Sequence, residues 1–256
     1  MRFSTSINFL FSEHPFLQRF GAAKAAGFEG VEIQLLESSA EDAAVAAREA
    51  EIEVALLNAP MGDFLMGGLG LSGVPGREAE FAEAIAAAVA SARTMGARHV
   101  HVGPSRTPDD ETKERCLASL VSNLEVAVDL AEAAEVTLLL EPVNRIDTPT
   151  ALIQDVGEAA AFLRQYFNGR VGLQFDIYHA AQNGDDPAAL FERHADLIRH
   201  VQFSDSPGRG APGAGAIDFD RVFGAIRDSG YTGWVGAEYL PGKPTLETLD
   251  WLSRHA

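Results

Sequence analysis

The sequence has little of what secreted, membrane-bound or nucleic-acid-binding proteins carry. Cys116 is the only cysteine among 256 residues, which excludes an intramolecular disulfide and a zinc site built from several thiolates. Basic residues are also few, because 20 Lys and Arg stand against 37 Asp and Glu and give a formal net charge of −17. Such a charge repels polyanions and anionic membranes, so we expect neither a nucleic-acid nor a membrane partner.

Long apolar runs are missing as well. The opening segment MRFSTSINFLF has neither a long apolar core nor a small-residue cleavage site, and charges such as Glu83 and Arg93 interrupt the Ala-rich run near Ala86. We therefore expect no signal peptide and no membrane span. Together with the lone cysteine, this predicts a cytoplasmic protein.

The sequence does contain a repeated alternation of two patterns. Short runs of β-branched or apolar residues are each followed by a longer Ala-rich helical pattern, and the runs start roughly 22 to 45 residues apart, as βα units do. They are too apolar for half-exposed antiparallel strands. Eight such runs begin near Phe3, Val31, Val54, His99, Val136, Gly172, His200 and Trp234.

Eight strands alternating with helices leave two main topologies, an open doubly wound sheet and a closed barrel. A Rossmann-type sheet requires a glycine-rich phosphate turn after its first strand, and SINFLFSEHPF has no such glycines. Polar residues at the strand ends favour the barrel. We therefore predict a single (β/α)₈ TIM-barrel domain over residues 1–256.

Local signals predict where some helices begin and end. Pro15 is suited to opening the first helix and Gly27 to ending it, while Ser39 and Asp42 resemble a capping box. One long glycine-containing loop, residues 60–77, follows the third strand. We interpret it as a functional lid, and a variable surface loop is the alternative.

Catalytic groups of TIM barrels project from the C-terminal ends of the strands, and here those ends are polar. In chain order they offer Asn8, Glu32 with Gln34, Asn58, His101, Glu141, Asp176, Gln202 and Glu238. The last four follow apolar runs on successive strands and should converge on one point. Three carboxylates meeting there would repel one another unless a cation neutralised them, so we predict one divalent metal, Mg²⁺ or Mn²⁺. For each acid taken alone, a loop or helix-capping role is the alternative.

Other polar residues are candidates for contacting a substrate. His179 follows Asp176 by three residues and can enter the same pocket, although a supporting or capping role is an alternative. His101 alternates with His99, and we expect only one of the two to point inward. Arg209 lies in a glycine-rich loop and can clamp a carboxylate, unless it is a solvated turn residue. The predicted substrate-binding residues are His179, Arg209, Asn58 and His101.

At these positions the chain resembles the hydroxypyruvate isomerase family, a branch of the xylose isomerase-like barrels that also includes ketose 3-epimerases and 2-oxo-tetronate isomerases. The resemblance covers nearly the whole chain. Its motifs are NAPMGDF and VPGREAEF around the long loop, LLLEPVN, LQFDIYH, HVQFSDSPGRGAPGAGAIDFD and GWVGAEY.

The resemblance implies a role for each of the four strand-end residues. It implies metal ligands at Glu141, Asp176, Gln202 and Glu238, and an acid/base pair at Glu141 and Glu238. Gln202 favours the hydroxypyruvate branch, because the ketose epimerases usually hold histidine at that strand end. The exact substrate stays open, since some family members have polar residues at the positions of Leu57 and Leu240.

The implied reaction is a metal-dependent interconversion of hydroxypyruvate and tartronate semialdehyde (2-hydroxy-3-oxopropanoate) by proton transfer through an enediolate. A 2-oxo-tetronate isomerase, a ketose 3-epimerase on a small sugar and a non-catalytic sugar-binding barrel are the alternatives. An endonuclease-type member should carry extra histidine ligands and a basic groove, and neither is evident in the sequence. A homodimer is compatible with apolar residues on the outer helices.

Overall fold

The computed structural model describes residues 1–255, and for Asp110 the backbone only. Eight parallel strands close into a barrel in which each strand pairs with its sequence neighbours and the first pairs with the last. The strands are β1 (Arg2–Ser6), β2 (Gly30–Ile33), β3 (Glu53–Asn58), β4 (His99–His101), β5 (Thr137–Leu140), β6 (Val171–Asp176), β7 (Ile198–Phe203) and β8 (Trp234–Ala237). The predicted single-domain TIM barrel is confirmed, and every predicted strand start lies within two residues of the observed one.

Helices connect the strands and surround the barrel. They are α1 (Gln18–Ala25), α2 (Ala40–Glu49), α3 (Glu78–Met95), α4 (Lys113–Ala133), α5 (Val156–Tyr166), α6 (Ile177–Gln182), α7 (Pro187–His194), α8 (Phe219–Asp228) and α9 (Leu252–His255). Short 3₁₀ turns occur at Phe64–Met66, Asp110–Thr112 and Thr245–Thr248. None of the helices among residues 1–255 combines the length and the apolar character needed to cross a bilayer.

The helix ends show which local predictions hold. The Ser39 hydroxyl accepts a hydrogen bond from the Asp42 backbone N–H at 3.0 Å, so the predicted cap of α2 is confirmed. Gly27 has φ 101°, the left-handed conformation that glycine adopts at helix ends. The predicted start of α1 at Pro15 is wrong by three residues. Pro15 and its neighbours form a tighter turn, in which the Pro15 carbonyl accepts from the Gln18 N–H at 2.9 Å.

The barrel buries two different kinds of residue on its two faces. Outward-facing aromatic side chains pack against the helices, as where the Phe203 ring meets Phe223 at 5.2 Å and Trp251 at 5.0 Å between centroids. The inward face instead carries buried polar side chains, among them Ser4 and Glu32. Because side chains of a strand alternate between faces, the apolar core is a ring between sheet and helices, and the barrel interior is polar.

The loop over residues 60–77 is held at its base and exposed at its tip. Arg106 Nη1 donates to the Phe64 carbonyl at 2.8 Å and to the Gly68 carbonyl at 2.6 Å, and its guanidinium lies 3.8 Å from the centre of the Phe64 ring. Arg77 forms an ion pair with Asp63 at 2.9 Å. The loop therefore has an ordered foundation, beyond which the side chains of Leu65 and Met66 are exposed.

Candidate active site

The ends of β5 to β8 place four oxygen-bearing side chains on neighbouring strands. Gln202 is paired in register with Asp176 on one side and with Gly236 on the other, and Glu238 lies two residues beyond that glycine. Glu141 directly follows β5. All four side chains are buried, with residue exposures from 1% for Gln202 to 9% for Glu141. The sequence-predicted residues thus share one edge of the barrel because parallel strands end at the same face.

Two carboxylates and one imidazole form the tightest part of this group. A ligand atom from each of Glu141, Asp176 and His179 lies within 4.8 Å of the others. Within the described residues, Glu141 Oε1 and Asp176 Oδ2 are buried without a hydrogen-bond partner. Buried carboxylate oxygens are normally satisfied, and hard divalent cations such as Mg²⁺ and Mn²⁺ prefer oxygen ligands. The two carboxylates of this group therefore fit such an ion.

Electrostatics at the site also favours a cation. Burial raises the pKa of Glu141 well above its usual value, and the nearby carboxylates of Asp176 and Glu238 add to that rise. Burial raises the pKa of Glu238 to about 7, against the opposing effect of Arg209. Each carboxylate makes the ionisation of the others less favourable, so a bound divalent cation would restore the ionised forms.

Arg209 supplies the positive charge that the site itself contains. Its Nη2 donates to Glu238 Oε2 at 2.8 Å and lies 3.7 Å from Asp176 Oδ2. The guanidinium also lies 5.0 Å from the centre of the Tyr178 ring, and its buried Nε has no hydrogen-bond partner among residues 1–255. An arginine with a free N–H at the barrel mouth is suited to binding a carboxylate of a ligand.

The hydrogen bonds of His179 indicate which of its nitrogens carries the proton. Asn144 Oδ1 accepts from the backbone N–H groups of Ile146 and Asp147, so its amide NH₂ must face His179 Nδ1, at 2.6 Å. Nδ1 is therefore an acceptor, and in the neutral ring the proton lies on Nε2, which is 3.7 Å from Asp176 Oδ2. Burial lowers the pKa of His179, which favours that neutral form. As a donor at Nε2, His179 is better suited to hydrogen-bonding an oxygen than to ligating a cation.

The prediction that only one of His99 and His101 points inward is wrong. Residues two apart on a strand share a face, so both rings point into the barrel. The ring of His99 lies 6.0 Å from that of His200, and His101 Nε2 lies 3.5 Å from Glu141 Oε2. Burial lowers the pKa of His101 to about 3, and both of its nitrogens are without hydrogen-bond partners in the described part of the chain. The lowered pKa favours a neutral ring at neutral pH, which has one N–H donor and lies beside Glu141.

The two predicted site residues with side-chain amides, Gln202 and Asn58, lie in different surroundings from each other. Gln202 Nε2 donates to Glu32 Oε2 at 2.7 Å, and Gln202 Oε1 accepts from Gln174 Nε2 at 2.6 Å. Asn58 lines a cavity of about 190 Å³ at the ends of β2 and β3, together with Gln34. Its buried Oδ1 has no hydrogen-bond partner within residues 1–255.

Gln174 and His200 also belong to this buried polar group, although the strand-end pattern of the sequence does not identify them. His200 Nε2 lies 2.9 Å from Glu32 Oε1. Each residue precedes a predicted site residue by two positions on the same strand, Gln174 before Asp176 and His200 before Gln202. The period of two in a strand is the signal that would have identified them.

A closed eight-stranded barrel with buried carboxylates at its C-terminal mouth defines a TIM-barrel enzyme. A family model described as xylose isomerase-like TIM barrel matches residues 20–255. Hydroxypyruvate isomerase of Escherichia coli (strain K12) is 34% identical over 253 residues, covering 98% of each chain. The 2-oxo-tetronate isomerase of Cupriavidus necator is 34% identical over 252 residues, covering 98% of this chain and 97% of that one.

A solved structure shows the same architecture. The crystal structure of AP endonuclease, family 2, from Brucella melitensis matches with a TM-score of 0.94 and 30% identity, covering 99% of this chain and 98% of that one. The chain belongs to the hydroxypyruvate isomerase family of xylose isomerase-like TIM barrels. It is an enzyme of the hydroxypyruvate isomerase-like type.

Proposed function

We propose that the protein is a metal-dependent isomerase that interconverts hydroxypyruvate and tartronate semialdehyde. The observation that carries the proposal is that one buried oxygen of Glu141 and one of Asp176 have no hydrogen-bond partner among the described residues. A second buried glutamate, Glu238, belongs to the same site. The 34% identity to a named hydroxypyruvate isomerase over the full chain adds to it. The proposed cation ligands are Glu141, Asp176, Gln202 and Glu238.

The proposed chemistry moves one carbon-bound proton between adjacent carbons. A bound Mg²⁺ or Mn²⁺ would polarise the substrate carbonyl and stabilise negative charge on its oxygen. One of Glu141 and Glu238 takes a proton from the hydroxymethyl carbon, the other, in its protonated form, gives a proton to the neighbouring carbon, and proton exchange with solvent returns both groups to their starting states. The hydroxyl proton moves from one oxygen to the other, so substrate and product have the same atoms.

The remaining polar residues are proposed to hold the substrate. Arg209, whose Nε–H has no hydrogen-bond partner among the described residues, binds the substrate carboxylate, which is the feature that favours an acid over a neutral sugar. His179 donates from Nε2 to a substrate oxygen, and neutral His101 donates beside Glu141. Asn58 is proposed to contact the substrate from the β3 side of the mouth.

The test is incubation of the Mn²⁺- or Mg²⁺-loaded protein in D₂O with hydroxypyruvate, 2-oxo-tetronate and small ketoses, followed by product analysis. We expect deuterium incorporation and a relocated carbonyl with hydroxypyruvate. Inversion of a stereocentre without relocation would identify a ketose 3-epimerase, and turnover of 2-oxo-tetronate alone would identify that isomerase. Deuterium uptake by none of the compounds would favour a non-catalytic sugar-binding barrel.

Matched carboxamide variants test the two-glutamate assignment. Glu238→Gln removes a ligand and an acid/base group together, so we expect turnover to fall by more than ~10²-fold. Glu247→Gln, an exposed glutamate ten residues beyond the end of β8, should be indistinguishable from the parent protein. Near-normal isomerisation by Glu238→Gln with the metal still bound would refute the assignment.

A further inference from the structure

A buried hydrogen-bond network lies inside the barrel beneath the candidate metal site. Glu32 Oε1 accepts from the Ser4 hydroxyl at 2.6 Å and contacts His200 Nε2 at 2.9 Å, while Glu32 Oε2 accepts from Gln202 Nε2 at 2.7 Å. Ser4, Glu32 and His200 are 0% exposed, and Gln202 is 1% exposed. Such burial of a carboxylate is unfavourable unless it is fully hydrogen-bonded, and each oxygen of Glu32 has a partner.

The backbone around Glu32 makes room for this carboxylate. Gly236 on β8 faces it, and a Cβ added at that position would overlap Glu32 Oε1. The pairing of β2 with β3 shifts register between Val31 and Glu32, and the pairing of β6 with β7 shifts between Leu173 and Gln174. Such irregularities change the direction of side chains, and here one directly precedes Glu32 and the other directly precedes Gln174, which donates to Gln202 Oε1.

The network determines which way the Gln202 amide faces. A side-chain amide has a donor end and an acceptor end, and the Glu32 carboxylate can only accept. The NH₂ of Gln202 must therefore face Glu32, and its carbonyl oxygen must face the opposite way, where Gln174 donates to it at 2.6 Å. A carbonyl oxygen has two lone pairs, so one remains for a cation.

We propose that Glu32 is a positioning residue that orients Gln202 so that its carbonyl oxygen serves the cation site. The inference rests on the ligand role of Gln202 proposed above. Ser4 and His200 hold the other oxygen of Glu32, which fixes the carboxylate on strands β1 and β7 at once. Groups that orient metal ligands in this way affect metal affinity strongly even though they never touch the ion.

The test measures Mn²⁺ affinity of the full-length, chelator-stripped protein by electron paramagnetic resonance of free Mn²⁺. In Glu32→Gln one carboxylate oxygen becomes an NH₂ donor, so position 32 no longer presents acceptors only and the Gln202 amide loses its fixed orientation. We expect Mn²⁺ affinity to fall about 10- to 100-fold. Gly236→Ala should produce a similar loss by displacing the Glu32 carboxylate, whereas Gly224→Ala, where an added Cβ meets nothing within 4 Å, should not.

If Glu32→Gln folds poorly, a second comparison still tests the proposal: Gln202→Glu against the double variant that exchanges the acid and the amide between positions 32 and 202. Gln202→Glu alone sets two carboxylates face to face, whereas E32Q/Q202E restores one donor and one acceptor. We expect the double variant to unfold at a higher temperature and to bind Mn²⁺ more tightly than Gln202→Glu alone. Equal affinities in those two proteins would overturn the proposal.

A stability control separates positioning from simple support of the fold. Val128→Ala removes buried methyl groups from α4 and should lower the melting temperature while leaving Mn²⁺ affinity unchanged. Glu32→Gln binding Mn²⁺ like the parent protein would overturn the positioning role alone, provided Asp176→Asn still abolishes binding. Absence of saturable Mn²⁺ binding by the parent protein would overturn the cation site, and the positioning role with it.

Discussion

The guanidinium of Arg209 donates to the carboxylate of Glu238, with 2.8 Å between Nη2 and Oε2. This contact joins the glycine-rich loop after β7 to the end of β8, where one of the two proposed acid/base groups lies. The same guanidinium lies near Asp176, so it offsets part of the repulsion among the carboxylates. Arg209 therefore links the charge of the site to the proposed binding of an acidic substrate.

Replacing Arg209 by lysine tests that link. Lysine keeps the charge but loses the planar set of N–H donors that can bind a carboxylate at two points. We expect the KM for hydroxypyruvate to rise about 10- to 100-fold, since a bidentate charged contact is worth roughly 1.5–3 kcal/mol. Arg221→Lys, in an exposed ion pair with Asp186, is the matched control for steady-state kinetics. An unchanged KM in Arg209→Lys would exclude the carboxylate contact.

The half-buried His99 should make the protein sensitive to acid. Burial, aided by the neighbouring His200, lowers the pKa of His99 to about 4 in the folded protein. Because the folded pKa lies below the unfolded value of about 6.5, the stability due to neutral His99 is present above that pH and is lost as pH falls toward 4. The full effect is about 3 kcal/mol.

Glutamine at position 99 removes the titration and keeps a polar side chain. We expect the melting temperature of His99→Gln to fall less steeply between pH 7 and about 4 than that of the parent protein, when followed by circular dichroism. His14→Gln, an exposed histidine, is the control. Parallel curves for the parent protein and His99→Gln would contradict the lowered pKa.

Arg106 should be the main anchor of the loop over residues 60–77. Arg106→Ala removes two hydrogen bonds to backbone carbonyls and the contact with the Phe64 ring. We expect faster amide hydrogen exchange confined to this loop and a loss of roughly 1–3 kcal/mol in stability. Arg115→Ala, an exposed arginine of α4, should leave the exchange rates of the loop unchanged. Unchanged exchange in Arg106→Ala would mean that other contacts hold the loop.

The net charge predicts how the protein behaves toward DNA, which matters because a structure with a TM-score of 0.94 is named an AP endonuclease. At −17, the protein should repel the phosphate backbone, and low salt should strengthen rather than relieve that repulsion. We expect no rise in fluorescence anisotropy of a labelled abasic-site duplex at low salt. Salt-sensitive binding, or nicking of the duplex, would favour an endonuclease activity.

The sequence predicts the barrel and the strand-end acids for a physical reason. Strands of a parallel barrel are short apolar runs, and the residue that ends each run is the one exposed at the mouth, so the position of Glu141 or Asp176 in its run indicates its place in the fold. The start of α1 was harder to predict, because Pro15 is compatible with a tight turn as well as with a first helical turn.

Side-chain contacts between residues far apart in the sequence cannot be predicted from the pattern of a single strand. The Arg209–Glu238 pair joins residues 29 positions apart, and the Glu32–Gln202 contact joins residues 170 positions apart. A local pattern shows that a residue is polar and inward-facing but does not show which distant side chain it meets. His99 and His101 differ from these cases, because the alternation of side chains along a strand already places residues two apart on one face.

The missing side chain at Gly236 makes two distant positions depend on each other. As long as position 32 carries an acid, a library randomised at position 236 alone should return glycine, because any Cβ there meets Glu32 Oε1. Once position 32 is shortened, larger residues should become tolerated at position 236. A redesign that places a larger residue at position 236 should therefore give folded variants at each step only if position 32 is shortened first.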